Sequence, residues 1–190
     1  MSAHPDKAAL RARLRGMRRA LAMSLPTAAA DAAERIPLDR LPAFAVFGGY
    51  HALGSELDPS PLIRRLAATG AMLALPAAAV REAPLEFRLW DAVDVLAPDA
   101  FGVPCPPSTA PVLKPDLVIA PLLAFDRRGG RMGQGGGTYD RTLANLRASG
   151  DVFVLGLAYS GQEVDQVPRE PHDQRLDAVL TEAGYIEFGG

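Results

Sequence analysis

One cysteine, Cys105, stands in 190 residues. A single thiol excludes an internal disulfide framework and a four-cysteine zinc site, and it suits a reducing cytoplasm. No apolar run approaches the length that crosses a bilayer, so no membrane partner is expected. An excess of one sign of charge is missing as well: the net charge of -2 is not the basic balance of a general nucleic-acid binder. There is no triad-like Ser or Cys motif, no internal repeat, and no low-complexity tail beyond Ala-rich patches. What remains is ordinary for a folded chain. Hydrophobic residues make up 48% and charged residues 22%, the soluble globular range. The length suits one domain, spanning 1–190, with a core that needs no staples.

The N-terminal "KAALRARLRGMRRAL" has a helical period. Leu10, Leu14, Met17 and Leu21 form an apolar stripe, and Lys7, Arg11, Arg15 and Arg18 a cationic stripe beside it. The segment is rich in Arg and Ala and poor in acids. That describes a solvated helix face and an organellar transit peptide equally. "TAAADAAERI" reads as a second short helix. "AFAVFGGY" reads as a buried strand, and "SPLIRRLAATG" as a helix with Ser60 as N-cap, Pro61 in its first turn and Gly70 as its stop. "AMLALP" and "LEFRLW" are further strands. The proline-rich stretch 97–115 reads as a stiff irregular connector across one domain, because proline fixes φ and lacks an amide donor. "DLVIAPLLAF" is the most apolar strand and "TYDRTLANLRASG" a helix, with Thr138 as its cap. "DVFVLGLAY" is a strand; then come a loop, a short helix or turn, and a last strand. Buried strands alternating with helices predict a mostly parallel sheet covered on both faces, with its site at the C-terminal ends of the strands.

Such an end carries "GGRMGQGGGTYDRTL", with six glycines in its first nine positions. Glycines let backbone amides approach a ligand unshielded, and a following helix start adds unpaired N–H groups and positive potential. Arg127, Arg128 and Arg131 add full charges. A polyphosphate fits this pattern, and so does a tight surface turn. The loop is not a P-loop, which needs a lysine that is absent here. Nor is it the dinucleotide fingerprint: Gly133 and Gly135 suit its first two glycines, but Thr138 occupies the third position. Asp140, in the first helical turn, complements the helix dipole or holds magnesium beside a phosphate. Asp177 in "RLDAVL" is a candidate second carboxylate, and each acid also reads as a surface residue. His172 reads as a loop anchor, with His4 and His51 too scattered for a metal site.

"GGRMGQGGGTYDRTL" resembles the signature of the 5-formyltetrahydrofolate cyclo-ligase family. "KAALRARLRGMRRAL", "GSELDPSPLI", "FRLW", the proline-rich stretch, "PDLVIAPLLAFDRRGGRMGQGGGTYDR" and "GLAYSGQEVDQVPREPHDQRLDAVLTE" resemble that family's other segments in the same order, over nearly the whole chain. The resemblance implies a three-layer α/β/α domain with a mostly parallel sheet. It also implies ATP- and Mg2+-dependent cyclisation of 5-formyltetrahydrofolate to 5,10-methenyltetrahydrofolate, releasing ADP and phosphate. Carried over by position, it places Lys7, Arg11, Arg131, Gly133, Gly135, Gly136, Gly137 and Tyr139 at ATP. Glu56, Arg11, Gln134, Gly135, Gly136, Gly137 and Thr138 fall at the folate, and Asp140 and Asp177 at magnesium. The implied partners are small molecules, and the implied state is a cytoplasmic monomer.

Two departures stand out. The family pattern often has two tyrosines before the aspartate, and here Thr138 takes the first place. An acid often precedes the loop proline, where this chain has Cys105 before Pro106, read as a small buried side chain. Two rival readings are a non-catalytic folate- or nucleotide-binding relative, and a sugar-phosphate isomerase or CoA-transferase using Glu56 as base or nucleophile.

Overall fold

The computed structural model describes residues 5–80 and 82–189; His4 lies outside them. In chain order the helices are α1 (Pro5–Ser24), α2 (Ala28–Glu34), α3 (Ser60–Ala67) and α4 (Thr138–Ser149). The strands are β1 (Val46–Gly48), β2 (Met72–Ala77), β3 (Glu86–Leu89), β4 (Ala97–Pro98), β5 (Pro104–Cys105), β6 (Val112–Leu113), β7 (Leu117–Pro121), β8 (Ala124–Phe125), β9 (Arg131–Met132), β10 (Phe153–Leu157), β11 (Ala178–Thr181) and β12 (Gly184–Glu187). Eight of these strands form one sheet in the order β12-β11-β10-β7-β1-β2-β3-β6. Its centre, from β11 to β2, is parallel, with Phe47 level with Leu73 and Leu117, and Leu155 level with Ile119 and Ala178. β12, β3 and β6 add antiparallel edges.

Alternation along β7 separates the two faces, as successive side chains of a strand must point oppositely. Leu117 and Ile119 join α2 and α3 through Ala28, Ala32, Leu62 and Leu66. Val118 and Ala120 meet Leu143 of α4 on the other face. The Ala-rich patch is thus a close-packing surface, and the layers are α/β/α.

Several local expectations change. "DLVIAPLLAF" is not one strand. Pro121, at the end of β7 opposite Leu157, brings no amide to the ladder. The chain then leaves the sheet, and β8 pairs instead with β9. The carbonyls freed at this break are taken by side chains: Gln162 Nε2 donates to Leu122 and Leu123, and Arg18 Nη1 to Leu122. The proline-rich stretch forms the β4–β5 ladder and the edge strand β6. The short helix or turn expected near residue 178 is β11, inside the parallel core. Ser60 is not a cap: it begins α3 after Pro59, and its amide and hydroxyl both bond Asp58 Oδ1. Thr138 likewise begins α4, and Gly137 is the N-cap in a left-handed conformation, φ +64.

Candidate active site

Helix α1 crosses the C-terminal ends of the strands. Leu10 and Leu14 pack on Leu123, Ala124, Met132 and Val167, and Leu21 joins the main core. Met17 departs from the expected apolar stripe and is 41% exposed, while Arg18 is 4% exposed. The cationic stripe therefore faces inward, at the site, rather than solvent. Lys7 Nζ lies 2.7 Å from Glu170 Oε1 and holds that carboxyl below its usual range. The Arg11 guanidinium lies beside Gly135, where an added Cβ would stand in van der Waals contact with it, 3.4 Å from its Cζ. Arg15 donates to the Gln134 side chain at 3.0 Å and to its carbonyl at 3.3 Å. Arg18 reaches Glu56, with Nη1 3.5 Å from Oε1.

The glycine segment has two halves with different reasons for lacking side chains. In the first half, Asp126 organises the turn between β8 and β9. Its Oδ1 accepts from the amides of Arg128 and Gly130, and its Oδ2 from Val167. Gly129 has φ +75, and a Cβ there would stand 2.7 Å from the Leu176 carbonyl; at Gly130 it would stand 2.6 Å from Asp126 Oδ2. These two glycines serve the fold. Arg127 pairs with Glu163 and Arg128 is exposed on the same turn, so neither supplies charge to a ligand loop as the sequence suggested.

The second half, Gly133 to Gly137, lies between two cavities. The first, of about 520 Å³, is walled by Tyr50, Glu56, Leu85, Phe101, Thr138 and Tyr139, with Gln134 and Gly136 at the loop. The second, of about 470 Å³, is walled by Lys7, Arg11, Asp140, Glu170, His172 and Asp173, with Gly135 and Gly137 at the loop. Arg131 and Gly133 line both. The first is largely apolar and suits a flat heterocycle; the second is polar and cationic on its α1 side. Tyr139, assigned by position to ATP, lies on the first cavity, and Arg11 lies on the second.

Arg131 is the junction. Its side chain is 3% exposed, and its Nη2 lies 2.6 Å from Asp140 Oδ1, an oxygen that also accepts from the Gln174 amide. The Arg131 guanidinium stands 5.9 Å from the Tyr139 ring centroid. The Nε atoms of Arg131 and Arg11 are buried and have no hydrogen-bond partner within the protein. Among the described residues Arg88 and Arg141 have the same kind of unmatched Nε, so it is the gathering of Lys7, Arg11 and Arg131 on one polar cavity that suits an anionic guest. Burial, and after it the Glu56 charge, pushes the hydroxyls of Tyr50 and Tyr139 above their ordinary range.

Asp177 is not brought to Asp140. It precedes β11 at the N-terminal edge of the parallel strands, where its Oδ2 accepts from Arg147 and from the Val154 amide. It shares a separate depression with Asp116 and Arg147. Helix α4 explains the separation, because it carries Asp140 in its first turn at the cleft and Arg147 in its last turn, on the far edge. Among the described residues no group of three or more His, Cys, Asp or Glu is arranged around a metal-sized space. His172 Nε2 stands 3.3 Å from Glu170 Oε2 on the rim of the second cavity. Cys105 is buried, and burial raises its pKa.

The sequence reading left Tyr50, Phe101, Glu170 and Asp173 unassigned. Tyr50 had a signal, since it follows the glycines that close a parallel strand. Phe101 had none, because it sits on the tip of a ladder hidden in the proline-rich stretch. Arg15 and Arg18 were visible only as members of a stripe.

Fold and cavities together describe an α/β protein whose cleft has two unlike compartments meeting at one buried arginine. The 5-formyltetrahydrofolate cyclo-ligase family model matches residues 3–182. The chain is 33% identical over 140 residues to the 5-formyltetrahydrofolate cyclo-ligase of Mycolicibacterium smegmatis, covering 70% of this chain and 71% of that one. With the Escherichia coli K12 protein of the same name, identity is 36% over 144 residues, covering 73% and 79%. The 5,10-methenyltetrahydrofolate synthetase structure from Mycoplasma pneumoniae shares the fold, with TM-score 0.73 at 21% identity, covering 93% of this chain and 99% of that one. The Aquifex aeolicus synthetase matches with TM-score 0.73 at 24% identity, covering 97% and 93%. The chain belongs to the 5-formyltetrahydrofolate cyclo-ligase family.

Proposed function

We propose that this chain converts 5-formyltetrahydrofolate and ATP to 5,10-methenyltetrahydrofolate, ADP and phosphate. The observation that carries the reading is the meeting of an apolar and a polar cavity at Arg131 and Gly133, in a member of this family. The first cavity takes the reduced pterin, with Glu56 accepting from its N–H groups and Tyr139 and Thr138 beside it. The second takes the triphosphate, against Lys7, Arg11 and the amides of Gly135 to Gly137.

The chemistry needs little covalent help from the protein. A formyl oxygen is a weak nucleophile, and water is a poor leaving group from its carbon. The oxygen attacks the γ-phosphorus and ADP departs, leaving an imidate-type phosphate ester. N10 then attacks the same carbon, the C–O bond breaks, phosphate leaves and the N10 proton is released. Phosphoryl transfer of this kind is governed by alignment and charge stabilisation. Arg131 faces both cavities and Arg11 faces the second, so their guanidinium charges are placed for the charge that spreads over the transferred group.

Magnesium fits a smaller donor set than the one expected. A triphosphate-bound Mg2+ requires one or two carboxylates. Asp140, with a side chain 16% exposed, and Asp173 both face the second cavity, whereas Asp177 does not. The ion would supply neutralisation of the phosphate oxygens. One domain holds both cavities, and a cytoplasmic monomer satisfies the scheme.

The test is direct. Purified protein mixed with Mg2+, ATP and 5-formyltetrahydrofolate is expected to produce the near-ultraviolet band of the methenyl product. Folded protein that binds the folate without any growth of the band is instead the non-catalytic relative.

A further inference from the structure

Arg18 lines neither cavity, yet it is the most buried cation of the α1 stripe, 4% exposed. Its guanidinium has three partners. Nη1 lies 3.5 Å from Glu56 Oε1 and 3.1 Å from the Leu122 carbonyl, and Nε lies 3.2 Å from Ser55 Oγ. Glu56 has a side chain only 6% exposed, and its Oε2 accepts from the Leu53 amide at 3.0 Å. A carboxylate so buried, sharing a cavity wall with Tyr50 and Tyr139, is costly without a paired cation. Burial lowers the Arg18 pKa, and the neighbouring Glu56 carboxylate opposes that shift. The Leu122 carbonyl matters too. It is one of the carbonyls freed where the chain leaves β7, and it holds the guanidinium at a fixed height above the strand ends.

We propose that Arg18 is a positioning residue for the folate: it holds the Glu56 side chain in one orientation, so that its carboxylate meets the N–H donors of the bound ring system. The inference rests on the functional reading above, in which Glu56 contacts the pterin. It separates Arg18 from its helix neighbours, since Lys7 and Arg11 serve the polar cavity.

The experiment measures KM for 5-formyltetrahydrofolate, KM for ATP and kcat in wild type, Arg18→Met, Arg18→Lys, Glu56→Gln and the double variant Arg18→Lys/Glu56→Gln. Removing one partner of a buried ion pair is costly because the other is left uncompensated. Arg18→Met is therefore expected to raise the folate KM by about 10- to 100-fold, with the ATP KM within about twofold. Arg18→Lys keeps the charge but not the fork of donors, and is expected to raise the folate KM by about 5- to 10-fold. In the Glu56→Gln background the Arg18→Lys change should add nothing, because its target carboxylate has gone. If Arg18→Met does not fold, the Arg18→Lys pair of measurements decides. A lowered Tm with both KM values unchanged, or equal rises in both KM values, overturns the inference and leaves Arg18 as packing. Wild-type protein that neither binds nor turns over the folate defeats the functional reading, and the inference with it.

Discussion

Replacing Asp126 by alanine tests how the glycine segment is held. The carboxylate is 1% exposed and accepts three backbone amides: Arg128 at 2.9 Å, Gly130 at 2.9 Å and Val167 at 2.8 Å. The bonds to Gly130 and Val167 are buried, whereas the bond to Arg128 is only partly so. An orphaned buried donor costs about 1–3 kcal/mol, and the Arg128 amide can turn to water. Two buried orphans place the loss at about 2–6 kcal/mol, a large share of the roughly 5–15 kcal/mol that a domain of this kind has in total. The assay is urea unfolding followed by circular dichroism, where the midpoint should fall with little change in slope. Acid adds a second arm. Burial alone would raise the Asp126 pKa, but the amides of Val167, Gly130 and Arg128 and the Arg128 charge outweigh it, so the carboxyl sits below its usual range. A depressed carboxyl stabilises the folded state above its unfolded value, about 3.9, and that stability is lost as pH falls through the lower folded value. Wild type should therefore lose stability below about pH 4 more steeply than Asp126→Ala. A loss under about 1 kcal/mol, or an identical acid limb in the two proteins, would refute the reasoning.

Two further outcomes concern the cleft. Asp140→Ala is expected to lower kcat by at least about 100-fold in a cyclisation assay; Asp140→Asn, which keeps acceptors for Arg131 and Gln174, separates lost charge from lost folding, and near-normal rates in both variants would remove Asp140 from magnesium. Gly135→Ala should raise the ATP KM by about tenfold or more, because the residue has φ +113, a conformation that strains any residue with a Cβ; an unchanged KM would show that ATP does not approach this backbone.

The parallel core was legible because β1, β2, β7 and β10 are apolar runs bounded by glycine or proline, and periodicity reads such runs well. The break after β7 was not, since Leu122 and Leu123 continue the apolar run while serving a different purpose, and only the carbonyls they expose reveal it. β11 was missed because "DAVLT" is too short to separate a strand from a turn by pattern. In the cleft, helical spacing predicted which arginines share a face, but not which way that face turned. Burial of Arg18 in place of Met17 decides that, and it depends on Glu56, far along the chain. Asp140 and Asp177 line different depressions for a reason spacing does not encode: α4 carries the chain from one end of the sheet to the other between them. The six glycines looked alike in sequence, yet Gly129 and Gly130 answer to Leu176 and Asp126, contacts that spacing does not encode.

The position of Lys7 bears on how the protein should be handled at the bench. It lies within the first turn of α1 and lines the polar cavity, so an affinity tag joined to the N-terminus would be attached close in sequence to a wall of that cavity. Beyond β12 the sheet ends on an outer edge, and neither compartment is walled by residues from that strand. Purification handles, fluorophores and surface tethers therefore belong at the C-terminus, and kinetic constants from N-terminally tagged material should be compared with those from cleaved material before they are attributed to the enzyme.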